Sequence, residues 1–294
     1  MNFDANDLKE TLDGLRYLVD ASHNLFNDRG LSAPSPNSKA ANERMNFPDD
    51  ELITDAHNRG LHSMENAGDH LMLFNEAWVE PAQTVAPWTC ARGMLESCAL
   101  AVWFLDPHIG AVERVGRVLA YRFHGLEEQV KFGRAAGAQQ IIDHAEKRMI
   151  NLARKAQTLG YQTITRGSKL QGVWKRHPGI TFLVGATLHH EDYYRLLSGV
   201  AHGHHWATFE LGYKLVHVPD GAGGTTEGIQ KHADAQTIVH AAAILAPTFL
   251  NVLWRLWSLF GWDTDEVETL AAGLLSSRLK MKREGDDWEP VIIS

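Results

Sequence analysis

Arg195, Ser198 and His202 are the residues whose types and spacing best suggest chemistry. They stand in the segment Asp192–His205, DYYRLLSGVAHGHH. On a helix turning roughly 100° per residue, Arg195 and His202 fall within about 20° of each other, with Ser198 one turn from each. A guanidinium grips phosphate oxygens in a fork, and an imidazole titrating near neutrality can move a proton. The segment is otherwise apolar enough for a buried helix, so a polar stripe on it must find partners. It therefore reads either as a phosphate or substrate site or as an internal network closed by Arg92, Glu96 or loop carbonyls. Arg92 and Glu96 lie one turn apart in the apolar stretch Trp88–Leu105, where they must pair with each other or with the stripe. In the sharper form of this reading, Glu96 orients His202 or Arg195. Tyr194 and His205 flank the stripe as supporting residues.

The surrounding histidines raise the question of a metal. A helical site wants ligands at i, i+4. His202, His204 and His205 are spaced by two and three instead, and Gly203 is placed to end the helix. His189 and His190 lie at its other end, some 18 Å away, and His189-His190-Glu191-Asp192 reads as a helix start. No metal or other cofactor is expected, and a His-metal hydrolase is the third functional reading. A basic stretch precedes the segment. Arg166, Lys169, Lys175 and Arg176 could neutralise a nucleic-acid backbone, though a solvated loop is the favoured reading of the stretch.

The elements that must position these residues are helical. The chain has 294 residues, 44% hydrophobic and 22% charged, with a net charge of −8. That suits a globular protein and argues against broad polyanion binding. Cys90 and Cys98 stand about 12 Å apart on one helix, too far for a disulfide, which points to reduced thiols and a cytoplasmic setting. The N-terminus MNFDANDLKETLDGL lacks the apolar run of a signal peptide. Ile238–Phe260 is apolar enough to span a membrane but contains Pro247, Asn251 and Arg255, so a buried core helix is expected instead.

Residues 4–29 carry Leu8, Leu12, Leu15, Leu18, Val19, Leu25 and Phe26 at helical spacing, with Gly30 as the stop. This helix reads as an arm over 1–30, followed by a linker over 31–48. A bundle over 49–282 and a frayed tail over 283–294 complete the expectation. Within the bundle the pattern predicts helices over 49–79, 88–105 and 107–123, then a polar helix from Gly125 to Leu159. An irregular stretch over 160–189 follows, then the opening segment. Only 209–218 reads as extended, 219–226 as a Gly-rich linker, and 232–260 and 263–282 as the last two helices. The fold class is all-α or mostly α, a single bundle of about seven to nine helices.

The run Arg195 through His202, RLLSGVAH, on a late core helix of such a bundle resembles the HEPN superfamily (higher eukaryote and prokaryote nucleotide-binding domains). Ala91–Ser97, ARGMLES, looks like the Arg-Glu helix of related helical families, and the resemblance covers about 85–210. In catalytic members it would imply metal-independent RNA cleavage, with a ribose 2′-hydroxyl attacking the adjacent phosphate. Arg195 would stabilise the phosphorane and His202 would handle protons. RNA and a second copy of the chain would be the partners, since the composite site usually needs a dimer, and a defence or toxin–antitoxin role would follow. The alternative is a non-catalytic interaction or ligand-binding protein in which the Arg/Glu/His groups are structural.

Overall fold

The computed structural model describes residues 4–29, 33–78, 83–221, 224–274, 279, 281–285 and 287–290. The expected stop at Gly30, residue 79 at the end of the expected 49–79 helix and residues 291–294 of the expected tail lie outside them.

The first helix, α1 (Ala5–Arg29), follows the leucine stripe. Leu15, Leu18 and Val19 are buried in the main core, and the helix lies against three others described below. Residues 33–48, read as part of a linker, contain α2 (Lys39–Asn46). Ser38 caps it, accepting from the Ala41 amide at 3.1 Å. A short polar sequence such as KAANERMN carries almost no apolar periodicity, and tertiary contacts made by Ala40 and Glu43 hold it.

The centre of the fold is the pair α3 (Asp50–Glu76) and α4 (Ala86–Leu105). Asp49 caps α3 through the Leu52 amide at 3.0 Å. Gly60 lies against Leu105 while Gly93 lies against His70, so the two helices run antiparallel. The buried Cys98 points its thiol at the Met94 sulfur, 4.0 Å away, and both cysteines are free.

After an Asx turn at Asp106, α5 (Ala111–Ala135) runs unbroken through Gly125, the position expected to divide it. The turn comes at Gly137 instead, where φ is +65°, before α6 (Gln139–Thr158). A single helical glycine costs only about 1 kcal/mol relative to alanine, whereas a left-handed backbone strongly favours glycine.

The expected irregular stretch is ordered. β1 (Thr163–Arg166) and β2 (Lys169–Val173) form an antiparallel hairpin turned at Gly167-Ser168, followed by α7 (Ile180–Leu188). Then come α8 (Glu191–Ala201) and α9 (His205–Leu211). The extended segment begins only at β3 (Tyr213–Pro219). β4 (Thr225–Lys231) pairs with it, taking in the last two residues of the expected 219–226 linker.

α10 (Ala235–Phe260) is capped by Asp234 through the Thr237 amide at 3.0 Å and ended by Gly261 with φ +65°. It is long and apolar enough to cross a membrane, and 72% of its apolar window is buried inside the fold. α11 (Asp265–Gly273) is shorter than the expected 263–282 helix. The expected tail holds a hairpin, β5 (Met281–Glu284) with β6 (Asp287–Pro290). The polar exceptions on α10 secure it. Asn251 accepts from the Trp288 amide at 2.5 Å and donates to the Trp288 carbonyl at 3.3 Å, and Arg255 reaches Asp287 at 3.5 Å.

The chain is thus mostly α, with the three helices that cover α1 being α3, α10 and α11. Among the described residues there are eleven helices, more than the expected seven to nine, and three two-stranded hairpins. The additional helices are the short ones, whose apolar patterns are too brief to read.

Candidate functional site

α8 buries Tyr194, Leu197 and Val200, spaced three apart, against α4. Arg195 and His202 are exposed and turn away from the core, while Ser198 between them lies at its margin, flanked by buried Leu197 and Gly199. Arg195 is 64% exposed and pairs with Glu191 one turn back, its Nε and Nη2 at 2.9 and 2.7 Å from Oε1. Ser198 is half-buried. His202 is exposed and occupies the C-cap, with Gly203 (φ +68°) completing the turn. Of the two readings left open, the internal network closed by Arg92 and Glu96 does not include Arg195 or His202: the inner face of this short helix is filled by Tyr194, Leu197 and Val200.

Tyr194 takes the inward place. Its hydroxyl donates to Glu96 Oε1 at 2.7 Å and accepts from Arg92 Nη2 at 3.4 Å. Arg92 and Glu96 pair at 2.9 Å, and the guanidinium lies 5.6 Å from the Tyr194 ring centre. Burial and the acceptor carboxylate of Glu96 both raise the Tyr194 pKa. This closed trio pins α8 to α4. Glu96 thus orients Tyr194, not Arg195 or His202.

Beyond His202, the chain folds back as α9. Gly199 makes this possible: a Cβ there would stand 2.7 Å from Ala207 Cβ. His205 stacks on Phe209 at 5.4 Å, and Trp206 is 57% exposed beside it. The rings of His202 and His204 are 6.2 Å apart. Among the described residues no three His, Cys, Asp or Glu side chains are grouped to hold a metal.

The four basic residues fall on and just after the β1–β2 hairpin. Arg166 and Lys169 face each other across its tip, and both are exposed. Lys175 lies over the Trp174 ring at 4.3 Å and reaches Glu113 at 3.8 Å, while Arg176 bonds Gln171.

Sequence reasoning missed two clusters. The first is sealed in the core. Arg114, with no exposed surface, donates from Nε to Glu43 Oε2 at 2.8 Å. Its other nitrogens bond the carbonyls of Phe104, Asp106 and Ile109, so it both caps α4 and clamps α2. Glu43 Oε2 also meets His57 Nε2 at 3.1 Å, and Arg44 Nε donates to His57 Nδ1 at 3.3 Å. Since an arginine only donates, Nδ1 must accept and the His57 proton sits on Nε2. Burial lowers the His57 pKa and favours this neutral form. No sequence signal marks this cluster: its members come from three helices and share no spacing.

The second is a cleft of 570 Å³ lined by Arg59, Arg122, Arg148 and Lys155 together with Tyr121 and Gln129. Asp55 pairs with Arg59 and Arg122, and Asp49 and Glu51 pair with Lys155. Arg148 bonds Gln129 at 3.4 Å and, among the described residues, meets no carboxylate.

Next to this cleft, His177 is packed between Trp103 and Tyr121, and it stacks on His124 at 4.9 Å with rings nearly parallel. Burial, and then the neighbouring His124, push the His177 pKa from 6.5 down to about 4. Between these two values the unfolded chain binds the proton and the folded chain does not, so stability falls as pH drops through that window. The two and a half pH units between them, at about 1.4 kcal/mol each, set a ceiling of about 3.5 kcal/mol, and solvent screening of the half-buried ring keeps the loss well below it. Thermal melts from pH 7 to pH 4.5 should show a falling Tm, and His177→Phe should flatten the slope. Equal slopes would refute this assignment.

No protein-family model matches the chain, and neither the curated proteins nor the solved structures give a match.

Proposed function

We propose that the chain binds RNA across the outer face of α8 and cleaves it without a metal. The observation that supports this most is that Arg195 and His202 lie on one stripe facing water, while the core network is closed by Tyr194 without them. The Arg195–Glu191 pair is a surface ion pair, worth little, and a phosphate can displace it. Trp206 on α9, which folds back against α8, is exposed and offers a stacking face for a base. The HEPN resemblance supplies the chemistry. The 2′-hydroxyl gives its proton to solvent water as its oxygen bonds to the adjacent phosphorus, Arg195 neutralises the phosphorane oxygens, and His202 hands a proton to the 5′-oxygen as the P–O5′ bond breaks. The products are a 2′,3′-cyclic phosphate and a 5′-hydroxyl.

The test is cleavage of end-labelled RNA in EDTA. His202→Ala should lower the rate on the order of 10²-fold or more, and Arg195→Ala by a comparable factor. Because both residues are exposed, neither substitution should move the melting temperature appreciably. Absence of cyclic-phosphate product, or equal cutting by His202→Ala, sinks the proposal.

A second reading, a non-catalytic ligand-binding protein, is favoured by one observation, the carboxylate-free Arg148 in the cationic cleft. It predicts that an anionic ligand raises the Tm of the wild type and of Arg195→Ala but not of Arg148→Ala.

A further inference from the structure

The β3–β4 hairpin projects from the root of α9, and both of its faces are largely exposed. Leu215 and Ile229 stand opposite each other and are each 58% exposed. A lone two-stranded hairpin is marginal in water. Its free edges are templates for a further strand, and the two edges differ.

The hydrogen-bond phase identifies what each edge offers. The Asp220 amide donates to Gly224 and the His232 amide to Gly212, at the two ends of the hairpin. Both pairs continue the β3–β4 register, and hydrogen-bonded pairs alternate along an antiparallel ladder. Leu215↔Ile229 therefore falls on a non-hydrogen-bonded pair. The backbone N–H and C=O of Glu227, Ile229 and Lys231 consequently point outward along the free edge of β4. On the other edge the outward set includes Pro219, which has no N–H to give.

The outward residues of β4 are self-complementary. Glu227 and Lys231 lie two positions either side of Ile229. We propose that the free edge of β4 pairs antiparallel, about a two-fold axis through Ile229, with the same edge of a second copy of this chain. In that register each Glu227 faces the second copy's Lys231 and Ile229 faces Ile229. All three pairs bring outward N–H and C=O groups together. Parallel pairing in register would set Glu227 on Glu227 and Lys231 on Lys231, so the charges select the antiparallel two-fold. One face of the four-stranded sheet would then carry a continuous stripe of Leu215 and Ile229 from both copies. Pairing through one edge of two short strands is of the weak, concentration-dependent class of contact. The inference is independent of any RNA cleavage.

The test is sedimentation velocity of the full chain over a concentration series. The wild type should shift to dimer at tens of micromolar. Glu227→Lys and Lys231→Glu should each hold it monomeric, and the double charge swap should restore the dimer. A second readout does not depend on those variants folding well. Ile229→Cys should form an interchain disulfide on mild oxidation, since a hydrogen-bonded pair sets Cα atoms about 5.5 Å apart. Leu215→Cys, one strand further from the axis, should not. A monomeric wild type, single-charge variants that dimerise like wild type, or a swap that stays monomeric would each overturn the proposal. So would failure of Ile229→Cys to cross-link.

Discussion

Arg114→Met should cost about 3–5 kcal/mol of folding stability, the range for removing one partner of a buried ion pair. Methionine fills much of the volume, so the loss is electrostatic and not a cavity effect. What remains is the Glu43 carboxylate, almost fully buried and left with His57 alone. The carbonyls of Phe104, Asp106 and Ile109 also lose their donors, and unpaired buried groups cost further. Against a total of roughly 5–15 kcal/mol for a domain, the variant should be largely unfolded at moderate denaturant. Urea denaturation measures it. Adding Glu43→Gln to Arg114→Met should recover part of the loss, because the orphaned charge disappears. A loss below about 1 kcal/mol for Arg114→Met would mean the cluster is not what ties α2 and α5 to the end of α4.

What the sequence makes legible follows from periodicity. α1, α4 and α10 repeat apolar residues over five or more turns, and their bounds are read within a few residues. α2 has no such run, and its burial depends on Glu43 meeting an arginine far along the chain. The β1–β2 hairpin does carry a signal, since TITR and KLQGV flank a two-residue Gly-Ser turn. Five basic groups over 166–177 draw attention to charge instead. The β5–β6 hairpin is invisible for a different reason: its anchor, Asn251, belongs to α10 and reads there as a polar blemish. The same limit governs the candidate site. Arg195, Ser198 and His202 do share a stripe, as a 3.6-residue period requires. Which way that stripe faces depends on the side of α8 that the closest neighbour fills. Tyr194 settles it, because its ring and hydroxyl together satisfy an apolar interface and the Arg92–Glu96 pair. One angular step of roughly 100° separates an inward Tyr194 from an outward Arg195, and a short helix carries too few residues to fix that phase from sequence.

Gly60 illustrates a residue whose sequence meaning inverts once packing is known. In a helical pattern it reads as a weakness, costing about 1 kcal/mol. In the fold it lets α4 seat its Leu105 side chain against the α3 backbone, and a Cβ would stand 2.3 Å from Leu105 Cγ and 2.5 Å from Cδ2. Both sites have no exposed surface or nearly none, so the leucine has no free space to swing into. Gly60→Ala, a substitution that improves helix propensity, should therefore destabilise the protein by roughly 1–3 kcal/mol, the usual scale of overpacking. Gly60→Val should exceed that. Leu105→Ala alone should cost about 2–5 kcal/mol through the cavity it leaves. The double variant Gly60→Ala/Leu105→Ala is the decisive measurement: the added methyl enters the vacated space, so its cost should fall below the sum of the singles by at least about 1 kcal/mol. Additive costs would mean that α3 and α4 relax apart at this point and that the glycine is not what sets their spacing.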